Sequence, residues 1–286
     1  MAADVNDLSV ITIVRNRPLH LARLIDGLAA STMRPRELIV IDMSDVAVML
    51  PALAFPARSI IFRPGQLALA AARNAGAQAA SSERLLFLDV DCIPRRNLVA
   101  MIDRALIDDD AVICPEIRYL GPDAAYDADE LTLERTSMRH PVRNFPESGS
   151  RVESNAGLFW SLTFGIRRAR FEALGGFDEG YDGYGAEDTD FGFGAKAAGV
   201  PLVFLGGTGS FHQHHGVISP PLQHLADIVR NANRFHVRWG MWPMDGWLKA
   251  FAALGVVAFD QDELRQLREP TPDEMQAATQ PPSVYF

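Results

Sequence analysis

Asp89 and Asp91 close an apolar run, Leu85-Leu86-Phe87-Leu88, with Val90 between them. Alternate residues of an extended chain point the same way, so the two carboxylates can converge on one object. Like charges that close together are costly unless a cation lies between them. Pro94 then ends the strand. In an open α/β sheet, ligands bind beyond the carboxyl ends of the strands, and this is such an end. A plainer reading is an Asp N-cap for the helix beginning near Arg95, with the other Asp in solvent. The triplet alone does not separate the two.

Two further groups carry chemistry. Glu187-Asp188-Thr189-Asp190 opens a helix behind the Gly- and aromatic-rich loop Phe177 to Gly185. Acids in a first turn favour a helix N-terminus, yet one cap does not call for three of them. His212, His214 and His215 follow a short strand at Val200 to Leu205 and the loop Gly206 to Gly209. Neutral imidazoles suit Mn, Zn and similar ions, so these histidines are candidate metal ligands beside Asp-x-Asp.

The elements that must position these groups read as alternating strands and helices. Leu8 to Val14, Leu38 to Ile41 and Ser59 to Phe62 are apolar strands. Leu19 to Ala30 has helical spacing, and an Ala-rich helix opened by Pro64-Gly65 carries Arg73 and Asn74. This order predicts βαβ units and a parallel sheet. Gly121 to Ser150 is charged and without period, which predicts a lid or mobile loop. Gln223 to His236 and Trp247 to Ala258 read as helices of a C-terminal appendage, packed on the sheet by Trp239, Trp242 and Trp247.

The chain has 286 residues, 48% of them hydrophobic, enough for one large α/β domain. A formal net charge of -9, with scattered arginines and only Lys196 and Lys249 as lysines, argues against nucleic acid as a partner. Cys92 and Cys114 are the only cysteines, so there is no disulfide framework. Met1 to Asp7 lacks a basic segment followed by an apolar one, and no apolar run reaches the ~18 residues of a membrane span. These features predict a soluble, cytoplasmic protein.

Taken together, the ordered motifs resemble a family-2 glycosyltransferase of the GT-A fold, with a galactosyltransferase-type module in the C-terminal half. The carrying residues are Val10 to Arg17, Leu38 to Asp42, Ala72-Arg73-Asn74-Ala75-Gly76, Asp89-Val90-Asp91, Gly175 to Glu179, Gly185 to Asp190 and Phe211-His212-Gln213. The resemblance implies a Rossmann-like, mostly parallel central sheet flanked by helices. A glycosyltransferase domain would span 1–218, with a nucleotide-binding half at 1–115 and an acceptor half at 151–218. Residues 219–286 would form the helical appendage.

It also implies roles. Val14, Arg15, Asn16, Asp42, Arg73, Asp89 and Val90 would bind the donor, with Asp42 at the uracil or ribose and Arg73 by the base or diphosphate. Asp91 and His212 would hold Mn2+ or Mg2+, with Asp89 and His214 ranked below them. Asp188 would be the base, paired with Glu187, and Trp160, Tyr184, Gly185 and Asp190 would meet the acceptor. Two departures stand out. The family often has Asp-Asp-Gly-Ser after its second strand, whereas this chain has Asp42-Met43-Ser44-Asp45. Thr189 replaces an acid of the related Glu-Asp-Asp-Asp run.

The implied reaction is a metal-dependent, inverting transfer from a UDP-linked or other nucleotide-diphosphate sugar to a hydroxyl of a carbohydrate, lipid-linked or small-molecule acceptor. Two alternatives stay open. A nucleotidyltransferase would share the carboxylate–metal chemistry, but no Gly-rich, Lys- or Arg-bearing triphosphate loop follows the first strand. A non-catalytic nucleotide-sugar binding protein would keep Asp-x-Asp and have no need of Asp188.

Overall fold

The computed structural model describes residues 7–63, 67–281 and 283–285. Leu8–Val14 has no polar face and forms strand β1, buried along its whole length. A strand apolar on both faces needs cover on both, and the chain supplies it in strand–helix order. Helix α1 (Pro18–Ala29) starts with a proline in its first turn and turns Leu21, Leu24, Ile25 and Leu28 inward. Strands β2 (Glu37–Asp42) and β3 (Ala57–Ile61) follow. Helix α2 (Leu69–Ala79) is rich in small residues because it lies close on β1: a Cβ at Gly76 would come within 2.4 Å of the Ile11 side chain. The expected start of this helix at Pro64-Gly65 lies outside the described residues.

Next come β4 (Arg84–Leu88), β5 (Cys92–Pro94), α3 (Leu98–Asp108) and β6 (Val112–Tyr119). They are followed by α4 (Glu130–Thr136), β7 (Met138–Arg139), β8 (Ser150–Glu153) and β9 (Thr163–Arg167). Helices α5 (Arg168–Ala173) and α6 (Glu187–Ala197) lead into β10 (Leu202–His212). The C-terminal part holds α7 (Leu225–Trp239), α8 (Asp245–Ala253), β11 (Val257–Phe259), β12 (Leu264–Gln266) and α9 (Pro272–Ala278).

The main sheet runs β3-β2-β1-β4-β9-β6-β10-β5. The first four strands are mutually parallel, as are β6 and β10, whereas β9 runs against both β4 and β6. This is the α/β architecture predicted from the sequence, a mostly parallel sheet with helices on both faces. Aromatic rings fill one face, where Phe87 stacks on Phe164 at 4.5 Å and Phe177 on Phe191 at 4.6 Å. Among the described residues no helix is long and apolar enough to cross a membrane.

Three expectations are corrected. Residues 121–150 are not a structureless lid: they contain α4 and β7. The charges of this segment pair inward, Arg95 donating to Glu130 at 2.9 Å and to Glu134 at 2.8 Å, and Arg139 pairing with Glu116 at 2.7 Å. Gly206 to Gly209 is not a loop but the middle of β10, which shifts register against β6 there. Glycine is required because a Cβ at Gly209 would come within 1.9 Å of the Glu116 carbonyl oxygen. Finally, the appendage is not wholly helical, since β11 and β12 pair as an antiparallel ribbon. Its tryptophans divide: the Trp239 indole N–H reaches Asp190 of α6 at 2.7 Å, while Trp242 stacks on His236 within the appendage at 3.9 Å.

Candidate active site

Strand β4 ends at Leu88, and the chain turns through Asp89-Val90-Asp91 into β5, the Cys92 N–H donating to the Asp89 carbonyl at 2.9 Å. β5 pairs antiparallel with the far end of β10, Cys92 opposite His212. The Gln213 N–H donates to the Asp91 carbonyl at 2.7 Å and locks this register. The strand pairing therefore carries the histidine segment to Asp91. His212 Nε2 lies 3.5 Å from Asp91 Oδ1, and His215 Nε2 lies 3.7 Å from Asp91 Oδ2. One ligand atom from each of Asp91, His212 and His215 lies within 4.8 Å of the others, a geometry that can hold a metal ion.

Of the two other candidate histidines, His215 joins this group and His214 does not; the His214 backbone N–H donates to the Tyr126 hydroxyl at 3.1 Å. Asp89 is not in it either, because it is engaged by Arg73. Arg73 on α2 is 4% exposed and donates to Asp89 at 3.1 Å and to Glu187 at 3.1 Å. Arg73, expected by the donor's base or diphosphate, has its guanidinium buried between these two carboxylates.

Helix α6 begins where backbone with positive φ ends. Gly183, Gly185 and Ala186 have φ of 79°, 97° and 71°. At Gly183 a Cβ would also strike the Asp227 carboxylate at 2.2 Å. The buried Asn231 of α7, which sequence reasoning missed, donates its side-chain amide to the carbonyls of Asp182, Tyr184 and Gly185 at 3.0–3.2 Å. This loop sets the start of α6, so that Glu187 points to Arg73 and Asp188 lies half-buried. The Asp188 carboxylate accepts from the Thr189 N–H at 2.6 Å and from the Thr189 hydroxyl at 3.3 Å.

The electrostatics divide the acids. Burial pushes Asp89 up to about 6; Arg73 pulls against this, and Asp91 and Asp188 add to it. Burial and the neighbouring Asp188 push Glu187 up to about 7 despite Arg73. Asp188 is also raised by burial. Asp91 goes the other way. Burial would raise it, but His212, Arg17 and His215 together hold it below the usual carboxylate range. Burial lowers His212, which keeps its imidazole neutral and available as a ligand. Burial likewise raises the Tyr184 phenol to about 12, with the charges of Glu187, Asp188, Asp91 and Asp89 adding to the effect.

On the donor side, Val14 is buried and its carbonyl accepts from the Met43 N–H at 2.8 Å. Arg15 and Asn16 are exposed beside it. Asn16, with φ of 54°, donates to Asp45 at 2.8 Å and joins the loops after β1 and β2. Asp42 is fully buried, and its two oxygens accept from the Ser44 and Val48 N–H groups at 2.8 Å each, which shapes the loop after β2. Val90 is buried between the two acids of the triplet.

On the acceptor side, Tyr184 stacks on His224 at 4.3 Å, and Trp160 is half-buried against His140 at 4.8 Å. Gly185 supplies the turn described above. Asp190 is 2% exposed and accepts from Tyr181 at 3.0 Å, Trp239 at 2.7 Å and Arg238 at 2.7 Å. Two residues after Asp188 on a helix, it points to the opposite side and pins α7 to α6. Arg143 is buried among Phe145, Trp160 and Phe204 at 5.0–5.2 Å, and among the described residues its guanidinium nitrogens have no hydrogen-bond partner.

The profile described as glycosyl transferase family 2 matches residues 9–175, more than half of the chain, and that described as the N-terminal domain of galactosyltransferase matches residues 139–215. Two curated proteins, the validoxylamine A glucosyltransferases of Streptomyces hygroscopicus subsp. jinggangensis (strain 5008) and subsp. limoneus, are each 28% identical over 161 residues. The match covers 47% of this chain and 36% and 34% of theirs, so the chain spans about a third of the length of these relatives. Among solved structures, GalNAc-T7 with UDP, GalNAc and Mn2+ superposes with a TM-score of 0.52 at 19% identity, over 73% of this chain and 43% of that one. TarS 1–349 of S. aureus gives 0.52 at 17% identity, over 80% and 65%. These two likenesses establish the fold, which is of the GT-A type.

Proposed function

The chain belongs to glycosyl transferase family 2, and from that premise we propose that it transfers a sugar from a nucleotide-diphosphate sugar, UDP-linked, to an acceptor hydroxyl with inversion. The observation that carries this reading is the carboxylate cluster tied together by Arg73, which donates to Asp89 at 3.1 Å and to Glu187 at 3.1 Å. Acids from two distant segments meet at the end of the sheet where ligands bind.

Asp91, His212 and His215 would hold a divalent ion. Their mixed oxygen and nitrogen donors fit Mn2+ better than Mg2+, which prefers oxygen. When bound, that ion supplies positive charge to the departing diphosphate. Arg15 and Asn16 are the exposed groups on the donor side, and the buried loop at Asp42 and Ser44 holds Asn16 in place. Asp188 takes the proton from the acceptor hydroxyl. Its raised pKa makes it a stronger base than a free aspartate, and the Thr189 N–H aims it. Glu187, tied to Arg73, orients the start of α6 and does not take part directly. A single base opposite the leaving group means one displacement, hence inversion. Tyr184 and Trp160 offer apolar faces to the acceptor.

The test is a thermal-shift screen of UDP, GDP, CDP and dTDP, each with Mn2+, Mg2+ or EDTA, followed by transfer assays in which UDP-glucose and validoxylamine A are the first pair. A ligand that binds the folded state alone raises the melting temperature. A Mn2+-dependent shift with UDP is expected. Asp188→Asn is expected to keep that shift and lose about 10²–10⁴-fold in transfer. No shift with any nucleotide would remove the donor-site reading.

A further inference from the structure

Arg17 has a relation to the site that the transfer reaction alone does not require. Its Nη1 donates to Asp91 Oδ2 at 2.7 Å, the same oxygen that His215 Nε2 faces at 3.7 Å. Its backbone is held in the first turn of α1, where the Arg17 carbonyl accepts from the Leu21 N–H at 3.1 Å. The side chain is 38% exposed, caps no helix N–H, and among the described residues has Asp91 as its hydrogen-bonded partner. It is therefore anchored at its base, with a partly exposed tip tied to Asp91 alone among the described residues.

We propose that Arg17 is a built-in counter-cation for Asp91 that competes with the divalent ion and thereby sets the affinity of the metal site. The inference rests on reading Asp91, His212 and His215 as metal ligands. The guanidinium sits on the Asp91 oxygen that His215 faces, so a doubly charged ion held by Asp91 and His215 would come close to it, and two cations at contact distance repel strongly. Entry of the ion must move Arg17 outward, a motion its exposed side chain permits. In exchange, Arg17 keeps a carboxylate that is only 11% exposed from standing without a cation.

The test is a titration of the purified protein with Mn2+ alone, free ion being followed by electron paramagnetic resonance, alongside melting curves in EDTA. Arg17→Met keeps the length and removes the charge. It is expected to bind Mn2+ about tenfold more tightly than the unchanged protein, the scale of one charge-assisted hydrogen bond. Its melting temperature in EDTA is expected to be lower, and Mn2+ is expected to restore it. Arg17→Lys, which retains a cation, is expected to stay near the original affinity. Saturable Mn2+ binding by the unchanged protein that is equal or weaker in Arg17→Met overturns the proposal and leaves the metal site standing. Absence of saturable binding in the unchanged protein overturns the metal-site reading, and this inference with it.

Discussion

The Arg73 guanidinium donates to the Glu187 carboxylate at 3.1 Å, joining residues 114 positions apart, and with its other arm holds Asp89. This buried contact links helix α2 to the first turn of α6, so a change at either helix is felt at the other.

Removing that link should be severe. Arg73→Met leaves two buried carboxylates without their cation, and breaking one partner of a buried pair costs about 3–5 kcal/mol. Urea denaturation should reveal a loss of that size, and transfer should fall with it. A loss well under 1 kcal/mol would mean that Arg73 does not hold the two helices together.

Protonation of the same cluster sets a pH dependence. In the unfolded chain, carboxylates titrate near about 4. In the folded chain Glu187 and Asp89 stand at about 7 and about 6. Between those limits the folded protein binds protons that the unfolded one lacks, so their contribution to stability falls as pH rises from about 4.5 through 7. Asp91, with its lowered pKa, acts oppositely, its stabilisation being lost as pH falls below the usual carboxylate range. Melting temperature, measured without ligands, should therefore decline between about pH 5 and pH 8, and Glu187→Gln should flatten that decline. An identical slope in the variant would contradict the assignment.

The neighbouring histidines should separate cleanly in a metal titration. His215→Ala is expected to weaken Mn2+ binding by about tenfold or more, since even groups that merely support a ligand are worth 10–100-fold. His214→Ala should leave the affinity within about twofold, because its side chain is not part of the cluster. The reverse ranking would return His214 to the site.

Asp190 should behave as a structural residue. Asp190→Ala strands the Trp239 indole and Arg238 at the α6–α7 contact, and a loss of about 2–4 kcal/mol in chemical denaturation is expected. UDP binding should persist in the folded fraction. A variant of normal stability that fails only with particular acceptors would place Asp190 at the acceptor after all.

Much was legible in the chain alone. The uninterrupted apolar runs from Leu8 and Leu38 announce strands buried on both faces, and helical spacing at Leu21, Leu24, Ile25 and Leu28 announces a helix that covers them. The Asp89-Val90-Asp91 triplet, the acids of Glu187 to Asp190 and the histidine cluster announce the types of group in the site. Such patterns are local, because period and burial are written into neighbouring residues. Gly206 to Gly209 was misread for the same reason. Consecutive glycines mark a loop when read locally, and their need arises from the Glu116 carbonyl on another strand.

What the tertiary structure decided was pairing. Asp91 meets His212 and His215 because β5 lies antiparallel on the end of β10, and a register shift inside β10 sets which residues arrive there. Asp42 and Asp190 looked like ligand-binding acids, and folding assigned them to backbone amides and to Trp239, while Arg73 went to two carboxylates. By itself the sequence determined the strands, the helices and the kinds of chemical group available. It did not determine which acids stay free, because that depends on which donors the fold brings within hydrogen-bonding distance, and these come from segments far apart in the chain.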